Sequence, residues 1–276
     1  MKYGFVLPSG NARVAADLAY ECEQAGWDGF FVWEPVWGVD AWVSLTAAAM
    51  RTERIRLGTM LSPVSRMRPW KLASETATLD DLSGGRVILS VGLGAIDTGF
   101  VTFGEVTDRK QRVQLMDEGL DVLTGLWRGQ PFSYDGRHYH IMSTEFPPAP
   151  PPVQQPRIPI WVVGAWPFEA SMRRALRYDG LIPMVRGDDG RMRQPTPGEL
   201  REIAVSVAER RRDVLPFEIV VEGTTPADDN EGARAAAREW ADAGATWFNE
   251  AMWMVSGTDA VNQFRRRIAA GPPRID

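Results

Sequence analysis

The feature that most limits the fold of this chain is a regular alternation of two kinds of segment. Short apolar runs, typical of buried strands, take turns with longer segments whose apolar residues recur at helical spacing. The first run, residues 3–7, is followed by a segment in which Val14, Leu18 and Cys22 lie on one helical face. The other apolar runs are residues 30–33, 55–59, 87–91, 158–163, 181–184, 217–221 and 245–249. Such alternation predicts a parallel sheet whose strands are joined by helical crossovers.

Eight strand–helix units in 276 residues match the α/β class and, within it, the closed (β/α)8 or TIM barrel. A doubly wound open sheet is the alternative, but it usually has fewer strands. Between the fourth helix and the fifth strand lies an irregular stretch, residues 129–156, with a predicted hairpin on the Asp135-Gly136 turn and a proline-rich connector, PPAPPPVQQP. Because the alternation resumes unchanged after this insertion, we expect residues 1–276 to form a single barrel domain.

Charge and cysteine content exclude several classes of protein. The formal net charge is −5, so no global positive field favours nucleic acid. Cys22 is the only cysteine, so no internal disulfide is possible. No apolar run approaches the roughly 18 residues of a spanning helix, and Pro8 stops the N-terminal run short of signal-peptide length. The sequence predicts a cytoplasmic protein that binds neither membrane nor nucleic acid.

The predicted site lies at the C-terminal ends of the strands, where barrels of this kind carry their chemistry. These ends are rich in Gly, Met, Trp and Leu and hold no His, Lys or Cys. A lyase or isomerase that works without a cofactor usually needs such groups, or a carboxylate pair with a metal. The rim therefore favours a large flat cofactor that supplies the reactivity. His138 and His140 lie in the predicted hairpin without a third ligand, so no metal site is predicted.

Two strand ends invite a nucleotide-binding interpretation. Gly92-Leu93-Gly94 begins like a dinucleotide fingerprint, but position 97 is Asp97 where the third glycine belongs, and the next segment is loop-like. The glycines either let a ligand approach the backbone or serve a turn alone. Residues 164–167, GAWP, join a strand to a helix N-terminus, where free N–H groups favour an anion, with Arg173 and Arg174 close behind. An ordinary turn is the alternative.

Four stretches of the sequence carry a resemblance to a known family. They are AGWDGFFVWEP (25–35), the long segment 53–94, LDVLTGLWRGQPFSYDGRHYHI (120–141) with RIPIWVVGAWP (157–167), and AGATWFNEAMW (243–253). They resemble the bacterial luciferase-like monooxygenase superfamily, whose members are flavin- or deazaflavin-dependent oxidoreductases on (β/α)8 barrels. The resemblance implies reduced FMN or coenzyme F420 as cofactor, a small organic molecule as substrate, and, by analogy, a homodimer.

The resemblance also implies where the cofactor binds. The ring packs on the end of the third strand, where a non-prolyl cis peptide often sits in this family; the matching bonds are Met60-Leu61 and Leu61-Ser62. Glycines beside the ring match Gly92 and Gly94, and the phosphate loop matches residues 164–166. The implied cofactor-binding residues are Met60, Leu61, Ser62, Gly92, Leu93, Gly94, Gly164, Ala165 and Trp166.

One position departs from the family pattern. Relatives often carry Asp-His after the second strand, and here Glu34-Pro35 stands in its place. Proline cannot act on a substrate, whereas Glu34 is either a catalytic proton carrier or a structural carboxylate. Strand-end position predicts a substrate pocket formed by Trp33, Trp37, Met184, Glu250 and Trp253. The leading interpretation is an FMN-dependent monooxygenase or an F420-dependent hydride-transfer enzyme, and the alternative is a barrel that binds such a ligand without turnover.

Overall fold

The computed structural model describes residues 1–145, 151–211 and 215–275. The strands are β1 Lys2–Leu7, β2 Gly29–Val32, β3 Arg56–Thr59, β4 Ser62–Pro63, β5 Val87–Gly92, β6 Phe132–Asp135, β7 His140–Thr144, β8 Ile160–Trp166, β9 Gly180–Arg186, β10 Met192–Arg193, β11 Glu218–Gly223 and β12 Trp247–Ala251. The helices are α1 Ala12–Gln24, α2 Ala41–Ala49, α3 Pro69–Ser83, α4 Arg109–Arg128, α5 Glu169–Ala175, α6 Pro197–Arg210, α7 Asn230–Asp242 and α8 Ala260–Ala269.

Eight of these strands close into a parallel barrel. Their order is β1, β2, β3, β5, β8, β9, β11 and β12, and β12 returns to β1 with Tyr3 opposite Phe248. The fifth barrel strand, β8, closes the ring because it pairs with β5 on one side and β9 on the other. Each of the eight is followed by a helix, so the predicted (β/α)8 barrel is confirmed and the open doubly wound sheet is excluded.

Local signals set several of the helix ends. Asn11 caps α1 with its side chain, which accepts the Val14 N–H at 3.0 Å. Helix α3 begins at Pro69, where the missing N–H has no partner to lose, and ends at Gly84 in the left-handed conformation with φ of 67°. The caps therefore explain where α1 begins and where α3 begins and ends.

The insertion after α4 is a two-stranded hairpin, as predicted, but its loop is longer than a two-residue turn. Asp135 pairs with His140, so residues 136–139 form the loop. Glu118 of α4 accepts the backbone N–H groups of Arg137, His138 and Tyr139 at 2.8 to 3.2 Å. These bonds attach the hairpin to the barrel wall. Part of the predicted proline-rich connector, residues 147–150, lies outside the described residues.

Side chains that point inward fill the body of the barrel. Phe31, Trp161 and Trp247 pack together there, with ring centroids 5.1 to 6.0 Å apart. A second, larger apolar cluster fills the layer between the strands and the helices. Space for a ligand is therefore left at the ends of the barrel, not along its axis. Among the described residues, no helix has the length and apolar character needed to span a membrane.

Candidate active site

A cavity of about 520 Å³ opens among the C-terminal ends of the barrel strands. Its volume is typical of sites for small molecules and cofactors. Predicted site residues that line it are Trp33, Glu34, Met60, Leu61, Leu93, Gly94, Ala165, Met184 and Trp253. The Met60-Leu61 peptide bond is cis, at the first of the two positions that the family resemblance implies.

A second cavity, of about 770 Å³, lies at the opposite end of the barrel. It is bordered by charged side chains that already have partners, including Lys2 with Glu218 at 2.5 Å and Arg157 with Asp179 at 2.9 Å. The N-terminal ends of barrel strands serve stability, whereas function gathers at the C-terminal ends. The smaller cavity is therefore the candidate active site.

Two of the predicted ring-binding residues lie behind the cavity wall. A Cβ atom on Gly92 would stand 3.0 Å from the Leu61 side chain and 3.1 Å from that of Val163, so these side chains occupy the space beside this glycine. Ser62 is fully buried, and its hydroxyl donates to Glu34 and also contacts Thr59 Oγ1 at 2.9 Å. Ser62 thus supports Glu34 and does not line the cavity.

The predicted phosphate loop is divided between the two faces of β8. A Cβ atom on Gly164 would lie 2.3 Å from Leu181 and 3.3 Å from Met172 Sδ, in the outer layer. Trp166 packs against the same outer core. Only Ala165 faces the cavity, because successive residues of a strand point to opposite sides. Gly164 and Trp166 therefore direct their side-chain positions into the outer layer, and their predicted contact with a cofactor phosphate through backbone N–H groups stays a prediction.

The same alternation corrects Glu250. Its neighbours on β12, Trp247 and Ala251, point into the barrel, so Glu250 points outward. It is fully buried and pairs with Arg267, with Nε to Oε2 at 3.0 Å, and it also accepts the Thr225 hydroxyl at 2.6 Å. Glu250 therefore ties β12 to α8.

Trp37 is corrected for a different reason. It lies in the loop between β2 and α2, where its side chain is 81% exposed. It does not line the cavity, whereas Trp33, at the end of β2, does. Distance from the strand end, not residue type, separates the two tryptophans.

Glu34 sits at the cavity wall in a polar cluster. Its Oε2 accepts the Ser62 hydroxyl, and its Oε1 lies 3.8 Å from Arg66 Nη2. The Arg66 guanidinium also donates to the carbonyl of Pro35 at 2.7 Å, which fixes its position. Burial raises the pKa of Glu34 to about 7, although Ser62 and Arg66 favour its charged form. Such a carboxyl can hold or release a proton near neutral pH.

Arginines from the helices complete the site, and the sequence prediction missed two of them. Arg109 and Arg112 lie in the first turn of α4 and line the cavity. Arg112 is 6% exposed and donates through Nη1 to the carbonyls of Leu93 and Gly94 at 2.9 and 3.1 Å. Its Nε is buried and has no hydrogen-bond partner in the described chain. A buried donor of this kind calls for an acceptor.

The predicted anion site keeps one of its arginines. Arg174 lines the cavity and pairs with Asp117, with Nη2 to Oδ2 at 2.9 Å. Ser171 also lines it, and its hydroxyl oxygen accepts the Ala165 N–H at 2.9 Å. The cationic side of the cavity thus comes from two helices that follow neighbouring strands. The sequence signal for Arg109 and Arg112 was available, since they open the helix after a glycine-rich strand end.

A second carboxyl, Glu222, lines the cavity at the end of β11. It was not predicted as part of the site, although it directly follows the apolar run 217–221. Trp253 Nε1 donates to its Oε2 at 3.2 Å, and Gln194 Nε2 approaches the same oxygen at 3.5 Å. Burial raises the pKa of Glu222 to about 7. Two carboxyls with raised pKa in one cleft are typical of functional sites.

A model of the luciferase-like monooxygenase family matches residues 1–272. The chain belongs to the luciferase-like monooxygenase family. Over 135 residues it is 33% identical to a relative named F420-dependent glucose-6-phosphate dehydrogenase in Nocardia farcinica, which covers 47% of this chain and 38% of that protein. The chain spans about half the length, or less, of the curated relatives that it matches in this way.

Solved structures with this fold include a protein described as F420-dependent and another that is bound to FMN. The F420-dependent tetrahydromethanopterin reductase of Methanopyrus kandleri has a TM-score of 0.76 at 15% identity, covering 98% of this chain and 97% of that one. A Baeyer–Villiger monooxygenase component from Pseudomonas putida, bound to FMN, has a TM-score of 0.66 at 20% identity, covering 87% and 71%. At these identities the shared property is the luciferase-like barrel fold itself.

The cavity has the chemistry that a flat ring system with a phosphate requires. Met60, Leu61 and Val163 provide apolar surface, and Gly94 provides bare backbone with φ of 73°. A Cβ atom on Gly94 would stand 2.9 Å from Pro63 and 3.0 Å from Phe100, so no larger residue fits there. Guanidinium groups, among them that of Arg112, are the side chains best suited to phosphate. The residues present fit such a cofactor.

Proposed function

We propose that this chain is an oxidoreductase that binds F420 or FMN in its reduced form in the strand-end cavity and acts on a small organic substrate. The observation that carries the proposal is the Arg112 side chain. It is anchored to the backbone of Leu93 and Gly94 and leaves a buried Nε without a partner beside the apolar wall. An anionic group attached to a flat apolar ring satisfies both features at once.

The residues divide into two groups around such a cofactor. Arg109, Arg112, Arg174 and Ser171 would hold its phosphate, because they bring positive charge and hydrogen-bond donors to one side of the cavity. The wall that includes the Met60-Leu61 bond would receive the ring. When bound, the cofactor supplies hydride transfer if it is F420, or activation of oxygen if it is FMN.

Glu34 is the proposed proton carrier. Its carboxyl lies in the cavity wall, and its pKa of about 7 makes both protonation states accessible at neutral pH. Ser62 and Arg66 orient it through one contact to each oxygen. The apolar residues around the cavity mouth exclude water from the reacting groups. Several relatives at 29 to 33% identity are named F420-dependent, which supports F420 as one of the two candidate cofactors.

The test is direct titration of the purified protein with F420 and with FMN, in which the absorbance and fluorescence of the cofactor report binding. We expect micromolar or tighter binding of at least one. Arg109→Met removes an exposed guanidinium from the cavity and is expected to weaken binding about tenfold to a hundredfold, the value of a charge-assisted hydrogen bond. Arg112→Met should weaken it as much or more.

The matched control is Arg234→Met, which removes an exposed guanidinium from α7, outside the strand-end cavity. It should leave the affinity unchanged. Failure of both cofactors to bind would overturn the proposal. Binding without consumption of the reduced cofactor, across a panel of alcohols, aldehydes and ketones with and without oxygen, would favour a ligand-binding barrel over an enzyme.

A further inference from the structure

Glu222 has no role in holding a phosphate or in the Glu34 cluster. On β11, Val220 points into the barrel, so Glu222, two residues further on, points to the same side and reaches the cavity. It stands two strands round the barrel from β8, whose end lies beside the Arg174 helix. The position of this carboxyl assigns it to a separate part of the cavity.

The hydrogen bonds of Glu222 involve only one of its two carboxylate oxygens. Trp253 and Gln194 both approach Oε2, at 3.2 and 3.5 Å, whereas Oε1 accepts nothing from the described residues. No ion pair of Glu222 exists in the part of the chain that the structure describes. Burying a carboxyl is costly unless it gains a partner, and here the protein supplies neither a cation nor a full set of donors.

Gln194 shows the same deficit. It follows β10 and lines the cavity beside Glu222. Its Oε1 is buried and receives no hydrogen bond in the described residues. Glu222 and Gln194 together therefore present two acceptor oxygens without donors. Buried polar atoms of this kind are normally satisfied by water or by a ligand.

The surroundings of these oxygens are apolar. Ile182 and Met184 from β9, Met192 from β10 and Trp253 line this part of the cavity. Met192 and Trp253 are each 41% exposed, so they form an apolar rim that a ligand can cover. A few polar atoms set in an apolar wall are typical of sites that select one polar group on an otherwise apolar molecule.

We propose that Glu222 and Gln194 form the substrate-selecting site, which takes an apolar molecule through a hydrogen-bond donor, a hydroxyl or a protonated amine. The hydroxyl or ammonium group donates to Glu222 Oε1, an ammonium has further N–H groups for Gln194 Oε1, and the apolar part of the molecule lies against Met184 and Trp253. The inference rests on the proposed function only in that the same cavity holds the cofactor.

The test measures binding of three probes to the protein without cofactor, by calorimetry or ligand-observed NMR at about pH 8.5, where Glu222 is ionised and its oxygens only accept hydrogen bonds. The probes are 2-phenylethanol, 2-phenylethylamine and 2-phenylethyl methyl ether, which share the apolar part but differ in the polar group. The ether accepts hydrogen bonds but donates none. We expect the alcohol or the amine, or both, to bind at least tenfold more tightly than the ether.

Variants at position 222 identify the acceptor. Glu222→Leu removes both oxygens and should abolish the preference over the ether. Glu222→Gln keeps one acceptor oxygen without charge, so it should keep most of the affinity for the alcohol and weaken the amine at least tenfold. Glu209→Leu, on the exposed face of α6, is the matched control and should change nothing. Circular dichroism melts check that each variant folds.

Equal binding of the three probes to the wild-type protein would overturn the inference, and so would an unchanged preference in Glu222→Leu. Because no cofactor is present, the result is independent of the F420 and FMN titrations. If the protein prefers the alcohol or the amine over the ether but binds neither cofactor, only the proposed oxidoreductase function is contradicted. If a cofactor binds but the three probes bind equally, only the proposed Glu222 site is contradicted.

Discussion

At the scale of single residues, the cavity depends on ionisable side chains whose charged forms are disfavoured by burial. Glu34 is only 10% exposed, with one hydroxyl and one guanidinium near it. Arg112 is as deeply buried, and burial lowers the pKa of its guanidinium. The fold holds both side chains in buried positions that disfavour their charged forms. Such arrangements cost stability and are kept where function requires them.

Glu34→Gln tests this cost through its pH dependence. The pKa of Glu34 in the fold is about 7, against an ordinary value of 4.5, so between these pH values the folded protein holds a proton that the unfolded chain has released. The free energy of unfolding therefore falls as pH rises from 4.5 to 7, by at most roughly 3 kcal/mol. The variant should lack this fall, and urea denaturation at pH 5, 6 and 7 measures it.

The quantity to compare is the difference between the two proteins at each pH. Glu222 contributes equally to both, so its own titration cancels. Glu209→Gln, an exposed change on α6, should run parallel to the wild type at every pH. A constant difference between wild type and Glu34→Gln would show that Glu34 ionises normally in the fold.

At the scale of elements, strand alternation decides which predicted residues reach the site. Ala165 faces the cavity and Gly164 faces α5; likewise, Glu222 faces inward and Glu250 faces α8. A shift of one residue exchanges these roles, because side chains on a strand have a period of two. Strand position in the sequence was predicted to within a few residues, and that precision is too low to assign a face.

The end of α3 offers a prediction at the same scale. Gly84 adopts φ of 67°, and a Cβ atom there would meet nothing within 4 Å. Gly84→Ala therefore adds only the conformational cost of a left-handed residue, about 1–2 kcal/mol of unfolding free energy. Gly198→Ala, in the first turn of α6, is the control: its φ is ordinary and its nearest contact is 3.9 Å away. It should be neutral or stabilising. Equal effects of the two changes in thermal denaturation would disprove this account.

At the scale of the whole molecule, the closed barrel and the hairpin differ in how they are held. Each barrel strand pairs on both sides, and its residues are mostly buried. Strands β6 and β7 pair only with each other, and their burial alternates or is low. Glu118 and the packing of nearby side chains attach them to α4. Closure thus removes the sheet edges from the barrel and leaves them in the insertion.

Hydrogen exchange measured by mass spectrometry should reflect this difference. Amides of β1, β2 and β12 should exchange only through global unfolding, because they lie within the closed ring. Amides of β6 and β7 should exchange through local opening, at least tenfold faster. Glu118→Gln, which weakens the bonds to residues 137–139, should accelerate exchange in the hairpin and leave β1 unchanged. Exchange of the hairpin as slow as that of β1 would contradict this division.

The sequence by itself determined the number, order and type of the barrel strands and their helices, but not the short strands β4 and β10, because the former follow from apolar periodicity and local caps such as Asn11 and Gly84. It also determined where the cavity lies, because parallel barrels place function at the C-terminal strand ends. Its resemblance to a family indicated a cis bond at Met60-Leu61 or Leu61-Ser62, and the structure shows it at the first of these.

Only the tertiary structure decided which side chains meet. Arg112 reaches back over 18 residues to Gly94, Glu250 turns away to Arg267, and Trp253 meets Glu222 across 31 residues. These contacts depend on strand register and on the angle at which each helix packs, neither of which leaves a periodic signal in the sequence. Helices and strands follow from the spacing of apolar residues along the chain. The active site forms between segments that are distant in the chain and become adjacent only when the barrel closes.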